Sequence, residues 1–313
     1  MTGPTLEAMV ERELDATVPE GAHRLAERLR LRFGAALRAV VMYGSNLRRG
    51  DDDEGVLDLY ALVSSYPSAY PQRPGLAMIN RLLPPNVFYM EVQGERHPVR
   101  CKYAVLALDD LPRLTSRHTA EPYFWARFAQ PCALVWAADV EARALVVAAF
   151  AGAIRTFVRF AVPFADERFD ARALWTRAWR ATYGAEIRPE RPGAAEVLWA
   201  ANAARFVAAT ALALPSVPWP VAAEAGAFTV ALPPRERRRA LRAWRVRRLR
   251  AKAAFLLRIL RNAMIFEGGV DYVLWKIQRH AGVAVTSDWR QRRHPLLALG
   301  AEAWRLYRAG AFR

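Results

Sequence analysis

Tyr43-Gly44-Ser45 and Asp58 are the residues whose types and spacing suit phosphate chemistry. An apolar run at residues 39–42 ends abruptly at Gly44-Ser45, and a second apolar run containing the carboxylate Asp58 follows. Glycine lets a backbone approach a triphosphate closely. Ser45 and the amides of a following helix start can hold phosphate oxygens. A carboxylate on the neighbouring strand can hold Mg²⁺ against those phosphates. The plainer alternative is a strand–turn–strand pair with a surface Asp, because Gly-Ser by itself is common.

The elements that must position these groups follow from the apolar patterning. Residues 5–14 and 21–33 read as helices. Residues 37–43 read as a buried strand and 56–63 as its partner, with a solvated charged loop at 48–54 between them. A helix around 76–83 precedes two strands, 86–92 and 99–108, that form a hairpin. Asp109 is placed to cap a short helix at 111–114, and 121–128 is helical. Residues 1–137 are therefore expected to form an α/β domain, a mixed sheet with helices. Beyond it, 138–162, 171–183, 194–214, 235–266, 270–281 and 296–309 read as helices, and 215–234 as a Pro-punctuated linker. The expectation for 138–313 is an all-helical domain.

Composition narrows the partners. The chain has 46 Lys+Arg against 30 Asp+Glu, a formal net charge of +16. Such an excess suits an anionic partner: nucleic acid, an anionic membrane surface or polyphosphate substrates. A coding bias towards Arg and Ala accounts for part of it. Two cysteines, Cys101 and Cys132, form neither a disulfide framework nor a zinc site, and a reducing cytosol fits. His97, His118, His280 and His294 show no metal spacing. The ten Trp read mostly as core or interface anchors. The acidic N-terminus does not read as a signal peptide. The best candidate span, 206–232, is broken by Pro218 and Pro220, so a soluble or peripheral protein is expected.

The usual nucleotidyltransferase pattern on the second strand is Asp-x-Asp followed by apolar residues. Here it reads Asp58-Leu59-Tyr60-Ala61-Leu62-Val63, with Tyr60 in place of the second Asp. The chain resembles the mitochondrial phosphatidate cytidylyltransferases of the translocator-assembly-and-maintenance type, as a bacterial-like member. The resemblance rests on five segments in order across residues 43–188. They are Tyr43-Gly44-Ser45, Leu57-Asp58-Leu59-Tyr60, Lys102-Tyr103-Ala104-Val105, residues 126–131 (ARFAQP) and residues 183–188 (YGAEIR). Gln130 stands where the family carries Lys, Glu186 where it carries Asp, and Ala104 and Ala185 where it carries Gly. The missing second Asp is shared with the family.

The resemblance implies a nucleotidyltransferase-like domain followed by a helical domain. It also implies an enzyme converting CTP and phosphatidate to CDP-diacylglycerol and pyrophosphate. Asp58, Glu186 and Lys102 would be its catalytic groups, and Asp58 and Glu186 would hold Mg²⁺, with Glu91 the alternative second ligand. Tyr43, Gly44, Ser45, Lys102, Arg127 and Arg188 would bind the nucleotide. Without the motif, an Arg in so Arg-rich a chain reads as a surface ion pair.

The stretch from Arg235 to Arg261 reads as a basic amphipathic helix, Arg-dense in its first half and apolar in its second. Such a helix suits an anionic bilayer, with Trp244 at the interface. It can also bind nucleic-acid phosphates, the less favoured partner, or serve as an ordinary bundle helix. The expected location is cytoplasmic, on the inner face of the membrane. Two rivals stand beside this reading. One is a nucleotidyltransferase acting on another phosphate or on nucleic acid. The other is a non-catalytic protein that kept the fold.

Overall fold

The computed structural model describes residues 3–50, 55–95, 97–185 and 193–265. The expected helices at 270–281 and 296–309 lie outside the described residues, as do the loop residues 51–54.

Two helices open the chain, α1 (Leu6–Leu14) and α2 (Glu20–Phe33). The Thr5 hydroxyl caps α1 by accepting from the Ala8 amide at 3.1 Å. Strand β1 (Leu37–Tyr43) runs into the short helix α3 (Ser45–Arg49), and β2 (Leu57–Val63) returns antiparallel to it. Helices α4 (Tyr66–Ala69) and α5 (Pro74–Leu82) lead to β3 (Asn86–Gln93) and β4 (Pro98–Ala107). Those two strands form the expected antiparallel hairpin. Helices α6 (Leu111–Leu114) and α7 (Tyr123–Phe128) precede β5 (Cys132–Ala137). The N-cap of α6 is Asp110 rather than Asp109. Its carboxylate accepts from the Tyr66 hydroxyl at 2.8 Å and from Arg113 at 2.9 Å instead of capping the helix.

The five strands order as β3-β4-β2-β1-β5, with β2 and β4 parallel and the other pairs antiparallel, so the mixed α/β sheet is observed. Strand alternation splits the sheet into two buried faces. Val40, Met42, Leu59 and Ala61 pack against Leu25, Leu29 and Phe33 of α2. Ala39, Val41, Tyr60, Leu62 and Leu106 face the other way, into a core that includes α1 and the long helix α8 (Val140–Ala161). Asp139 caps α8, accepting from the Ala142 amide at 2.8 Å. The segment Val140–Phe164 is long and apolar enough to cross a membrane, against the expectation that no such stretch exists. In the fold 67% of its apolar window is buried, and it forms the floor of the core.

The second half is not all-helical. Strand β6 (Arg168–Asp170) precedes α9 (Ala171–Tyr183). Residues 215–234, expected as a linker, contain a hairpin, β7 (Val221–Glu224) and β8 (Ala227–Val230), that pairs with β6 in a three-stranded sheet. Its two-residue turn has positive φ at both positions, 48° at Ala225 and 82° at Gly226. Asn-Gly is the usual signal for such a turn, and Ala-Gly hides it. Residues 194–214 are likewise two helices, α10 (Ala194–Ala201) and α11 (Ala203–Ala213), bent by 87° at Asn202. The Asn202 side chain donates back to the Leu198 carbonyl at 3.4 Å while its backbone leaves the helical region. The bend sets Phe206 against Trp175 and Trp179, with ring centroids 4.7 and 4.8 Å away.

The last described element is α12 (Pro234–Ile265). Trp244, expected at a lipid interface, is only 7% exposed. Its ring meets Trp125 at 6.3 Å and Phe164 at 5.4 Å. It is an anchor for the helix, because an indole with aromatic neighbours gains more from burial than from a wet surface.

Candidate active site at the Gly44 turn

Asp58 pairs across the sheet with Tyr43 on one side and with Lys102 on the other. Lys102 in turn pairs with Tyr89, so four side chains from four strands form one row. Their positions, two residues apart from core residues such as Val41, Tyr60 and Ala104, put the row on the α8 side of the sheet, at its rim. Three of the sequence-predicted residues, Tyr43, Asp58 and Lys102, thus share one line. Glu91 lies in the next pair outward, where Arg100 holds its carboxylate at 2.8 Å and the Tyr89 hydroxyl donates to it at 3.2 Å. Glu186 and Arg188 lie outside the described residues.

Gly44 joins β1 to α3 with φ 92° and ψ −163°, a conformation open to glycine alone. A Cβ at this position would sit 3.0 Å from Asp58 Oδ2. The absent side chain therefore does two things: it permits the turn, and it lets the Asp58 carboxylate lie directly behind it. Burial first and the Asp58 charge second push the Tyr43 hydroxyl well above its ordinary pKa, so it remains a neutral donor.

A cavity of about 270 Å³ opens in front of this turn. Tyr43, Gly44, Ser45 and Arg127 line it, as the sequence leads one to expect, whereas Asp58, Lys102 and Glu91 do not. Tyr183 and Ala185 form another wall. Gln130 is also on the wall, with its side-chain amide donating to the Ala126 carbonyl at 3.2 Å. Tyr60, at the position of the usual second Asp, is fully buried with its ring 5.1 Å from Tyr43 and 4.8 Å from Phe128. Position 60 is a core position here. Among the described residues no three His, Cys, Asp or Glu gather as a metal centre.

Glu121, Tyr123, Phe255 and Arg258, which no sequence motif singles out, also line the cavity, together with Arg48 from the charged segment after the turn. Arg127 and Arg258 lie over the Tyr123 ring, 4.5 and 4.6 Å from its centroid. Arg258 grips Glu121 with two hydrogen bonds, one of them 2.8 Å long, and donates Nε to the Pro84 carbonyl at 2.8 Å. The pair is 7% and 15% exposed. Burial works against the Arg258 charge, but Glu121 outweighs it and the guanidinium becomes more basic. Arg261 donates to the carbonyls of Leu83 and Pro85, and burial first, with Arg258 second, pushes it down to about 10. The C-terminal part of α12, read as a lipid-facing stretch, is thus a wall of the cavity. The only available signal was a pair of arginines placed where the sequence turns apolar.

No protein-family model matches the chain, and no curated protein matches it significantly.

Proposed function

We propose that this protein is a nucleotidyltransferase that takes CTP and phosphatidate to CDP-diacylglycerol and pyrophosphate at a membrane surface. In that reaction a phosphate oxygen of the lipid attacks the α-phosphorus of CTP, and the bond to the pyrophosphate leaving group breaks. One observation carries the reading: the side-chain-free Gly44 turn lines an arginine-walled cavity, and the Asp58 carboxylate lies directly behind that turn. The strand–turn–helix–strand order and the row Tyr43–Asp58–Lys102 support a nucleotidyltransferase-like sheet.

The residues present fit Mg²⁺ in its usual manner, one or two protein carboxylates with the remaining positions left to water and substrate phosphates. Asp58 would hold it, and when bound it would neutralise charge on the phosphates. The chain's own part is positioning. Ser45 and Lys102 would take phosphate oxygens, and Arg127 and Arg48 would balance the charge of the triphosphate. The Tyr43 hydroxyl, held neutral, keeps its proton and can donate a hydrogen bond as well as accept one.

Tyr60 favours a second reading, a nucleotide-binding protein without turnover, because it removes a carboxylate from the strand where two are usual. The deciding assay follows label from CTP into lipid, with Mg²⁺ and phosphatidate vesicles and with ATP, GTP and UTP as competitors. Lipid-linked CMP supports the transferase. Saturable CTP binding with no product supports the second reading. Loss of CTP affinity in Ser45→Ala and, more strongly, in Lys102→Ala is expected. No loss in either would make the Gly44 turn only a turn.

A further inference from the structure

A second cavity, about 530 Å³, shares no lining residue with the first. It lies between the segment following α6 and one side of α8. Small residues of α8, among them Ala148 and Gly152, make its floor. A Cβ at Gly152 would have Thr115 Oγ1 as its nearest neighbour, at an ordinary 3.8 Å, so the floor is open space rather than packed core. The walls carry Arg117, His118, Arg155 and Arg159, and no carboxylate lines the cavity.

The cations around this space are unevenly matched. Arg155 is held by Glu7 at 2.6 Å. Arg159 stacks on Trp219 at 5.7 Å, and the Trp219 indole N–H donates to Glu236 at 2.8 Å. The Arg117 guanidinium and the His118 ring have no hydrogen bond or ion pair among the described residues. Burial first and the Arg117 charge second lower the basicity of Arg159, although Glu236 opposes them. Two guanidinium groups repelling each other across a concave, small-residue floor form a receptor for an anion with several acceptor oxygens.

We propose that this cavity binds a phosphate monoester, gripped by Arg117 and Arg159 with His118 as a further donor. The floor leaves room for a glycerol-sized substituent. The chemistry is shared by a phospholipid headgroup and a free phosphate ester. Its place adjoins the Arg-rich half of α12, where Arg247 donates to the Thr119 carbonyl at 3.2 Å and stacks on Phe160 at 4.2 Å. The proposal does not depend on the nucleotide reading, because no group of the Gly44 cavity takes part.

The test uses calorimetric titration of the full chain with glycerol 3-phosphate, and flotation with phosphatidylcholine vesicles with or without phosphatidate. Arg117→Gln with Arg159→Gln should weaken glycerol 3-phosphate by about tenfold or more, since each removes a charge-assisted contact. Arg117→Gln alone changes an exposed residue without disturbing the fold. Gly152→Val fills the floor without changing charge and should weaken binding similarly. CTP affinity should be unchanged in all three, so a failed nucleotide reading leaves the test intact. A parallel loss of flotation with phosphatidate vesicles identifies the lipid headgroup as the source. Weaker glycerol 3-phosphate binding with unchanged flotation identifies the free ester. No saturable glycerol 3-phosphate binding by the unaltered protein overturns the proposal, as does wild-type affinity in Arg117→Gln, the double variant and Gly152→Val.

Discussion

The two ends of α12 use the same residue type in opposite ways. Nine arginines fall between positions 235 and 250, and Arg238, Arg242 and Arg245 among them are exposed. Arg258 and Arg261, further along the same helix, are 6% and 8% exposed and bind a carboxylate and backbone carbonyls. An exposed arginine keeps its hydration and gives up little by moving. A buried one has lost that hydration and depends on every partner it has. Local composition therefore says little about what a given arginine does. In the Arg-dense end, exposed arginines such as Arg238, Arg242 and Arg245 offer charge to the surroundings while Arg237 and Arg247 bind backbone carbonyls; the Arg-poor end builds the Gly44 cavity.

The largest effect is expected behind the Gly44 turn. Asp58→Asn should reduce CTP-dependent transfer by roughly a hundredfold or more, the scale on which removing one preorganised electrostatic group acts. The circular-dichroism spectrum should stay unchanged, because the substitution alters charge but little volume. Normal turnover in this variant removes Asp58 from the mechanism.

Arg258→Ala should cost about 3–5 kcal/mol of stability, because it strands the Glu121 carboxylate in a site only 15% exposed. The measurement is the midpoint and slope of urea unfolding. Replacing both partners, as Arg258→Met with Glu121→Leu, should recover much of the loss. A cost close to zero in the single variant would make this pair no different from the solvated end.

Gly44→Ala should cost about 1–3 kcal/mol, the expense of holding a non-glycine residue at φ 92°. Its Cβ, 3.0 Å from Asp58 Oδ2, should also displace the carboxylate and weaken CTP binding. Unaltered stability and affinity together would show that the turn can relax away from Asp58.

The smallest effect on the folded state belongs to the solvated end. Arg238, Arg242 and Arg245 changed together to Glu should move stability by no more than about 0.5 kcal/mol per site. CTP affinity should not change. Capture on anionic vesicles should fall sharply, and capture by the unaltered protein should weaken with salt. Competition with single-stranded RNA of equal charge sharpens the result. Preference for RNA over phosphatidate vesicles would replace the lipid partner with nucleic acid.

Several elements are legible in the sequence. β1, β2, β3 and β4 are short, largely apolar runs, and the hairpin of the last two is local. Gly44-Ser45 announces a turn because few other sequences tolerate one there. Tyr43, Gly44, Ser45 and Arg127 could be assigned to one cavity because their motifs resemble a family's. Asn202, Ala225-Gly226 and Trp244 were misread for a common reason. Each looks locally like something ordinary, namely a helix interior, a linker and a wet indole. What distinguishes them is a partner elsewhere in the chain: the Trp175–Trp179 cluster for the helix after Asn202, β6 for the hairpin, and Trp125 for Trp244.

The sequence alone determined the apolar runs, the cationic excess and the glycine that the β1–α3 turn favours, because these depend on neighbours along the chain. Tertiary structure decided which charges are buried and which groups converge. Arg258 meets Glu121 across 137 positions, and Asp58 stands between Tyr43 and Lys102 only because β2 pairs with both β1 and β4. The physical reason is desolvation: a charge acquires its character from whatever replaces its water, and for these residues the replacement comes from distant parts of the chain.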